Sequence, residues 1–291
     1  MSGGRVSHIV LVTITAALWL LAASTAIAAT DVLARIQRHG ELRVGFAVGY
    51  MPFEMIDRRS GIRERFLLPS DPRYSGQSAH FIGFDLDIAQ HLADELGVRL
   101  APVNMRFTEL IDALFSGRID IILSGMSVTP ERQARVDFSD PYMTLGQTVL
   151  LSSRHRGRVK SYLDLNSAEF VVASPPGTTG AEAVRTLLPN ATYLPIASEA
   201  DAIAAVRSGS ADAFVYDRPH NAIAFALNPS DDLVFLDEPF TSEQIAAAIR
   251  KGNPDYLDRL NGLIAELKAD GRYQMLYDRW FNQTDWYDRV R

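Results

Sequence analysis

LIDALFSGRIDIILSG, residues 110–125, and AIAAVRSGSADAFVYD, residues 202–217, follow one order: helix-forming residues, Ser-Gly, an acid, and an apolar run. Gly117 and Gly209 stand where a helix is expected to stop. Residues 119–123 are apolar apart from Asp120, as a buried strand is. This weak internal repeat is most simply two copies of one α/β lobe.

Outward from the first copy, helix and strand signals alternate. Val32, Leu33 and Ile36 are helically spaced, and Gly40 stops that helix. Leu42, Val44 and Phe46 alternate as a strand does, and Gly49 and Pro52 break it. GFDLDIAQHLADELGV predicts a helix over residues 85–96, VRLAPVNM a strand, and FTELIDALFSGRID a helix. The order is βαβαβ, with helices long enough for parallel crossovers. A second series starts near Val149, with EFVVAS, ATYLPI and ADAFVYD as strands and TGAEAVRTLL and SEADAIAAVRSG as helices. Amphipathic helices at residues 254–270 and 273–281 are expected to return to the first lobe.

The amino terminus has a different character. Arg5 lies in a polar start, residues 9–23 are apolar, and Ala26-Ile27-Ala28 is a small-x-small site, so residues 1–28 read as a cleaved secretory signal peptide. The alternative, a membrane anchor, is at the short end for spanning and has no stop-transfer flank. The expected domains are therefore the leader 1–28, lobe 1 over 29–146 and 238–291, and lobe 2 over 147–237. The 29 residues between Phe53 and Gly83 break the rhythm. Within them the insertion at about 58–80 is rich in Arg, Ser, Gly and Pro, and reads as a solvated insertion or as a flap or docking surface.

With no cysteine, the chain has neither disulfides nor thiol chemistry. Its formal charge of −6 becomes −7 without residues 1–28, where Arg5 is the one charged residue; nucleic-acid binding calls for the opposite sign. The six histidines are scattered without ligand spacing, so no metal is expected. PGTTG lacks the Lys-Ser/Thr ending of a phosphate loop, and no cofactor is expected.

Ligands of open α/β sheets bind beyond the carboxyl ends of strands. Those positions hold Tyr50 after the first strand, Gly125, Met126 and Ser127 with Arg132 shortly beyond, Thr178 and Thr179 in SPPGTTG, and Asp217 in YDRPH. An arginine binds a carboxylate bidentately. Ser127 and the N–H groups of Gly125 and the Thr178/Thr179 turn can donate to the same oxygens. Asp217 accepts from an ammonium, and Tyr50 and Phe107 offer apolar walls. Taken singly, Arg132 reads as a surface ion pair, Asp217 as a helix cap before Pro219, and Tyr50 and Phe107 as core. Taken together they suit an amino acid.

GFDLDIAQHLADELG, LFSGRIDIILSGMSVTPERQARVDFSDPY, PGTTG, ADAFVYDRP and LKADGRYQMLYDRWF, in this order, resemble the family 3 solute-binding proteins of polar amino acid ABC transporters. The resemblance spans almost all of the chain after the leader, apart from the insertion. It implies an α/β, two-lobed periplasmic-binding-protein type II fold with two crossover strands and ligand in the interlobe cleft. It further implies a periplasmic monomer that passes a small amino acid-like ligand to an ABC transporter membrane permease. By motif, Arg132 falls on the carboxylate clamp, Ser127 on its hydroxyl partner and Gly125 on a backbone contact. Thr179 falls on the second-lobe carboxylate contact, Asp217 on the amine-binding aspartate, and Tyr50 and Phe107 on the aromatic pair around the ligand side chain.

Ala47 departs from the pattern, because basic amino acid binders of the family carry an acid there. A cationic head without a counter-charge would cost several kcal/mol of desolvation, about the penalty of one buried ion, so a neutral ligand is expected over lysine or arginine. Asp71 or Glu64 of the insertion would invert that by reaching over the cleft. Two rival functions share the fold. Cyclohexadienyl dehydratases end the second-lobe motif in TDA-x-E, whereas this chain has Tyr216, Asp217, Arg218, Pro219 and His220. His220 can transfer protons in principle, or serve only as a helix residue. The third reading is a periplasmic input module for a sensor. Amino-terminal sequencing of the exported protein should start near Ala29, and an intact Met1 in the membrane fraction would contradict the leader.

Overall fold

The structure is a computed structural model that describes residues 31–58 and 80–290. The leader at 1–28 and all but the ends of the insertion at 58–80 lie outside the described residues, as do Asp71 and Glu64.

Local signals place the helix ends. The Asp31 side chain accepts from the Ala34 N–H, starting the helix Val32–His39, which stops at left-handed Gly40. Ser198 caps Glu199–Ser208, and Gly209 ends it in the same left-handed way. Such caps contribute about 1 kcal/mol each.

Two five-stranded sheets form around them. The first runs Arg99–Asn104, Glu41–Phe46, Ile121–Ile122, Ala248–Arg250, Val136–Phe138. The second runs Thr192–Pro195, Val171–Ser174, Ala213–Asp217, Gln147–Ser152, Leu233–Leu236. In each, the first three strands are parallel and the last two pairings antiparallel. The repeated segments supply the third strand of each sheet, so the echo in sequence is an echo in topology. The first copy is shorter than its apolar run, because only Ile121 and Ile122 pair as strand before the backbone turns at Ser124.

The lobes are joined by two crossover strands. Met143–Leu145 leads from the first sheet into Gln147–Ser152, and Glu243–Ile245, antiparallel to it, leads back to Ala248–Arg250. Ser127 also bridges to Ile245, which ties the loop after Ile122 to the crossover. The carboxyl end returns to lobe 1. Trp280 is buried and its Nε1–H donates to Asp87 at 2.7 Å, while Arg289 binds Asp57 at 2.7 Å. Asp57 ends Met55–Asp57, which pairs antiparallel with His80–Ile82, so in sequence the insertion lies between two paired strands.

Candidate functional site

Three parallel strands of each sheet point their carboxyl ends at one cavity. Its wall is drawn from the segments following Phe46, Asn104, Ile122, Ser174, Pro195 and the end of Ala213–Asp217. Its volume is about 630 Å³, within the usual range for small-molecule sites. Tyr50, Phe107, Gly125, Ser127, Arg132, Thr178, Thr179 and Asp217 all line it.

Arg132 sits on a one-turn helix, Pro130–Gln133, where Thr129 caps the Arg132 N–H and Pro130 fills the first turn. Its guanidinium donates to the Ser127 carbonyl at 2.7 Å and, across the cleft, to the Gly177 carbonyl at 3.0 Å. It also lies 5.1 Å from the centroid of the Phe107 ring. Two of five N–H donors are thereby used, and three remain for an anion. A surface ion pair does not describe this residue.

Asp217 is buried, and its side chain makes no cap bond to the helix Arg218–Leu227 that it precedes. The Tyr50 hydroxyl and the Gln147 amide donate to its two oxygens. Burial pushes its carboxyl up to about 7 and Glu243 pushes the same way, while these bonds and the charge of Arg132 oppose them. Tyr50 stacks on Phe53 at 4.6 Å and meets Tyr216 edge-on at 5.5 Å. Gly125, at φ +51°, is what lets this ring in. A Cβ there would stand 2.1 Å from Tyr50 Cε1.

Two of the expected donors already have partners within the protein. The Gly125 N–H is not offered to the cavity, because it donates to buried Asp85 at 2.7 Å. The Ser127 hydroxyl donates to Glu243 at 2.7 Å, with Thr179 Oγ1 3.4 Å away. The Thr178 hydroxyl is a helix cap, accepting from Ala181 N–H at 3.1 Å and donating to the Pro175 carbonyl at 2.7 Å. Thr179, at the start of Thr179–Leu187, has its hydroxyl 3.3 Å from the Gln147 amide.

The sequence reading missed Gln147 and Glu243, which come from the crossover segments and bond each other at 3.0 Å. It also missed Glu54, Asn104 and Glu199, all on the cavity wall. Ala47 lines the cavity without an acid, and the carboxylates of Glu54 and Glu199 lie elsewhere on the same wall. His220 is fully buried and is not part of the wall; burial lowers its pKa to about 3, so the ring stays neutral. Glu54 on the wall and Asp85 behind it are both raised, Glu54 by burial and then by Asp85, and Asp85 by burial to about 7.

Two sheets of matched topology, two crossovers and a cavity between their strand ends define a two-lobed solute-binding protein. Residues 69–283 match the bacterial extracellular solute-binding proteins, family 3, and the chain belongs to that family. It is 31% identical to the ABC transporter glutamine-binding protein GlnH of Bacillus subtilis over 75% of this chain and 81% of that one. Among solved structures, it resembles a binding component of an ABC transporter from Wolinella succinogenes complexed with lysine, with 38% identity and a TM-score of 0.76 over 86% of this chain and 99% of that one. It also resembles AncCDT-1, an ancestral amino acid-binding protein and precursor of cyclohexadienyl dehydratase, with 39% identity and a TM-score of 0.75 over 86% of this chain and 100% of that one.

The raised pKa of Asp85 has a consequence for folding. Its ordinary value is 3.8 and its folded value about 7, so the stability it contributes is full below the former and is lost as pH rises through the latter. Asp85→Asn keeps an oxygen for Gly125 and Tyr142 and should flatten the decline in urea midpoint between about pH 5 and about pH 8. Parallel profiles for variant and parent would contradict the assignment.

Proposed function

We propose that the protein binds an L-α-amino acid in the cleft between its lobes, 29–146 with 238–291 and 147–237, and presents it in the periplasm to an ABC transporter permease. The observation that carries this reading is that Arg132 of lobe 1 and Asp217 of lobe 2 line the same cavity. The three remaining N–H donors of Arg132 take the α-carboxylate, joined by Thr179 and by Ser127 if its hydroxyl turns from Glu243. Asp217 takes the α-ammonium. A ligand so held bridges the lobes, which favours closure about the crossovers. Gly125 contributes close packing under Tyr50 rather than an N–H. The functions in the names of the relatives support transport binding, but glutamine in one and lysine in another leave the side chain open.

Binding without turnover is part of the reading, as is a monomer. His220, the candidate acid for dehydratase chemistry, is buried away from the wall, which counts against the enzyme. Prephenate incubated with the protein should be recovered unchanged.

A thermal-shift screen of amino acids identifies the ligand, since binding to the folded state alone raises stability. Arg132→Ala should then fold and lose about 30-fold to a few thousand-fold in affinity, the loss expected when one partner of a buried charged pair is truncated. An unchanged dissociation constant would remove the carboxylate clamp.

A further inference from the structure

Gln147 stands one residue after Gly146, where the chain passes from lobe 1 into lobe 2, and it is fully buried. A Cβ on Gly146 would stand 2.0 Å from the Thr241 carbonyl, so the outgoing and returning segments lie backbone against backbone here. The Gln147 N–H donates to Thr241 Oγ1 at 2.9 Å, and the Phe240 N–H donates to the Gln147 carbonyl at 3.0 Å. This close approach brings the Gln147 side chain to Glu243, which opens the return strand Glu243–Ile245. Neither residue is part of the cavity wall.

The Gln147 amide nitrogen carries two hydrogens. Three acceptors surround it: Asp217 Oδ1, Glu243 Oε1 at 3.0 Å and Thr179 Oγ1 at 3.3 Å. Two of them are carboxylate oxygens, which assigns this end of the amide as nitrogen. The amide oxygen is buried with no hydrogen-bond partner among the described residues, and lies 2.9 Å from where a Cβ on Gly180 would be. Two hydrogens among three acceptors make the nitrogen a shared donor. What one acceptor releases, the others gain.

Ser127 is at the far end of the same chain of bonds. Glu243 Oε1 also accepts from Thr241 Oγ1 at 2.8 Å, and its Oε2 accepts from the Ser127 hydroxyl at 2.7 Å. Ser127, Glu243, Gln147 and Asp217 therefore form one connected path, running through both crossover segments from lobe 1 to lobe 2. After burial, the charge of Glu243 is the largest cause that raises the Asp217 carboxyl. The two acids compete for the donor between them.

We propose that Gln147 and Glu243 are positioning residues that couple the ammonium end of the site, at Asp217, to its carboxylate end, at Ser127. This rests on the amino acid reading above. An ammonium beside Asp217 supplies charged donors, which a carboxylate bonds more strongly than a neutral amide. The N–H groups of Gln147 then serve Glu243 and Thr179. A Glu243 so answered holds the Ser127 hydroxyl less firmly, and that hydroxyl turns to the ligand carboxylate. Filling one end of the cleft prepares the other, which is a coupling free energy between two parts of one site.

The probes are the twenty L-amino acids and the α-carboxamide of whichever binds most tightly, measured by calorimetry on the whole exported protein. The ratio of the two affinities, acid over amide, reads the carboxylate end. Gln147→Met removes both N–H donors at similar volume and leaves Ser127 bound to Glu243. It should lower the ratio by about tenfold, the scale of one hydrogen bond to a charged group. Ser127→Ala should lower it about as much, and the double variant no further than either single one. Glu243→Gln offers the Ser127 hydroxyl a neutral, weaker acceptor, so it should raise the ratio, and only while Ser127 is present; this second variant decides the matter where Gln147→Met does not fold. Acid and amide weakened alike by Gln147→Met, with the ratio unmoved, would show a purely structural role and overturn the inference. An effect of Gln147→Met or Glu243→Gln that persists in full with Ser127→Ala, as a through-space action of the Glu243 charge would, overturns it as well. Binding of none of the twenty amino acids would instead defeat the reading on which it rests.

Discussion

A buried carboxylate has to be answered, and Asp217 is answered from both lobes. Tyr50 reaches it from the loop after the first strand of lobe 1, and Gln147 from the strand that enters lobe 2. Two neutral donors and the more distant Arg132 do not cancel the cost of burial, and the carboxyl is held near 7. An ammonium placed beside it would supply the missing charge and favour the ionised form. The rest of the site is arranged around that deficit. Gly125 lacks a side chain where Tyr50 reaches across, and the Gln147 amide nitrogen at the crossover lies within hydrogen-bond distance of Asp217, Thr179 and Glu243.

Arg132 is the counterpart on the other side of the cleft. It spans the lobes through the Gly177 carbonyl and still keeps donors for an anion. The same guanidinium can thus hold the lobes together and read a carboxylate. Because the two lobes share one sheet topology, their strand ends face each other, and the crossovers at Met143–Leu145 and Glu243–Ile245 are the chain's route between them. A repeat of one α/β unit becomes a cleft with a lobe on either side.

Much of this was legible in the sequence where the signal is local. Gly40 and Gly209 end helices as the pattern requires, and the paired Ser-Gly-acid-strand segments occupy the same place in both sheets. The place of Arg132 and Asp217 on the cavity wall was legible because both follow strands whose carboxyl ends face it. Hydrogen-bond direction was not: nothing in SGMS says that the Gly125 N–H turns inward to Asp85, forty residues earlier in the chain. Glu54 reads as one polar step between Phe53 and Met55, and Glu199 as an ordinary first-turn acid after a Ser cap. Their shared wall arises only when loops from different lobes meet, which no spacing encodes. The preference expected from Ala47 weighed one position alone, without the carboxylates that other loops bring to the same wall.

The central claim is that the cleft reads both backbone groups of an amino acid, its carboxylate through Arg132 and its ammonium through Asp217. Calorimetry of the tightest-binding amino acid against its methyl ester and its N-acetyl derivative tests both groups at once. Each modification should weaken binding by at least about 100-fold, the scale of losing one buried charge pair. Affinities within about threefold of the parent ligand for either derivative, well inside one such pair, would contradict the account.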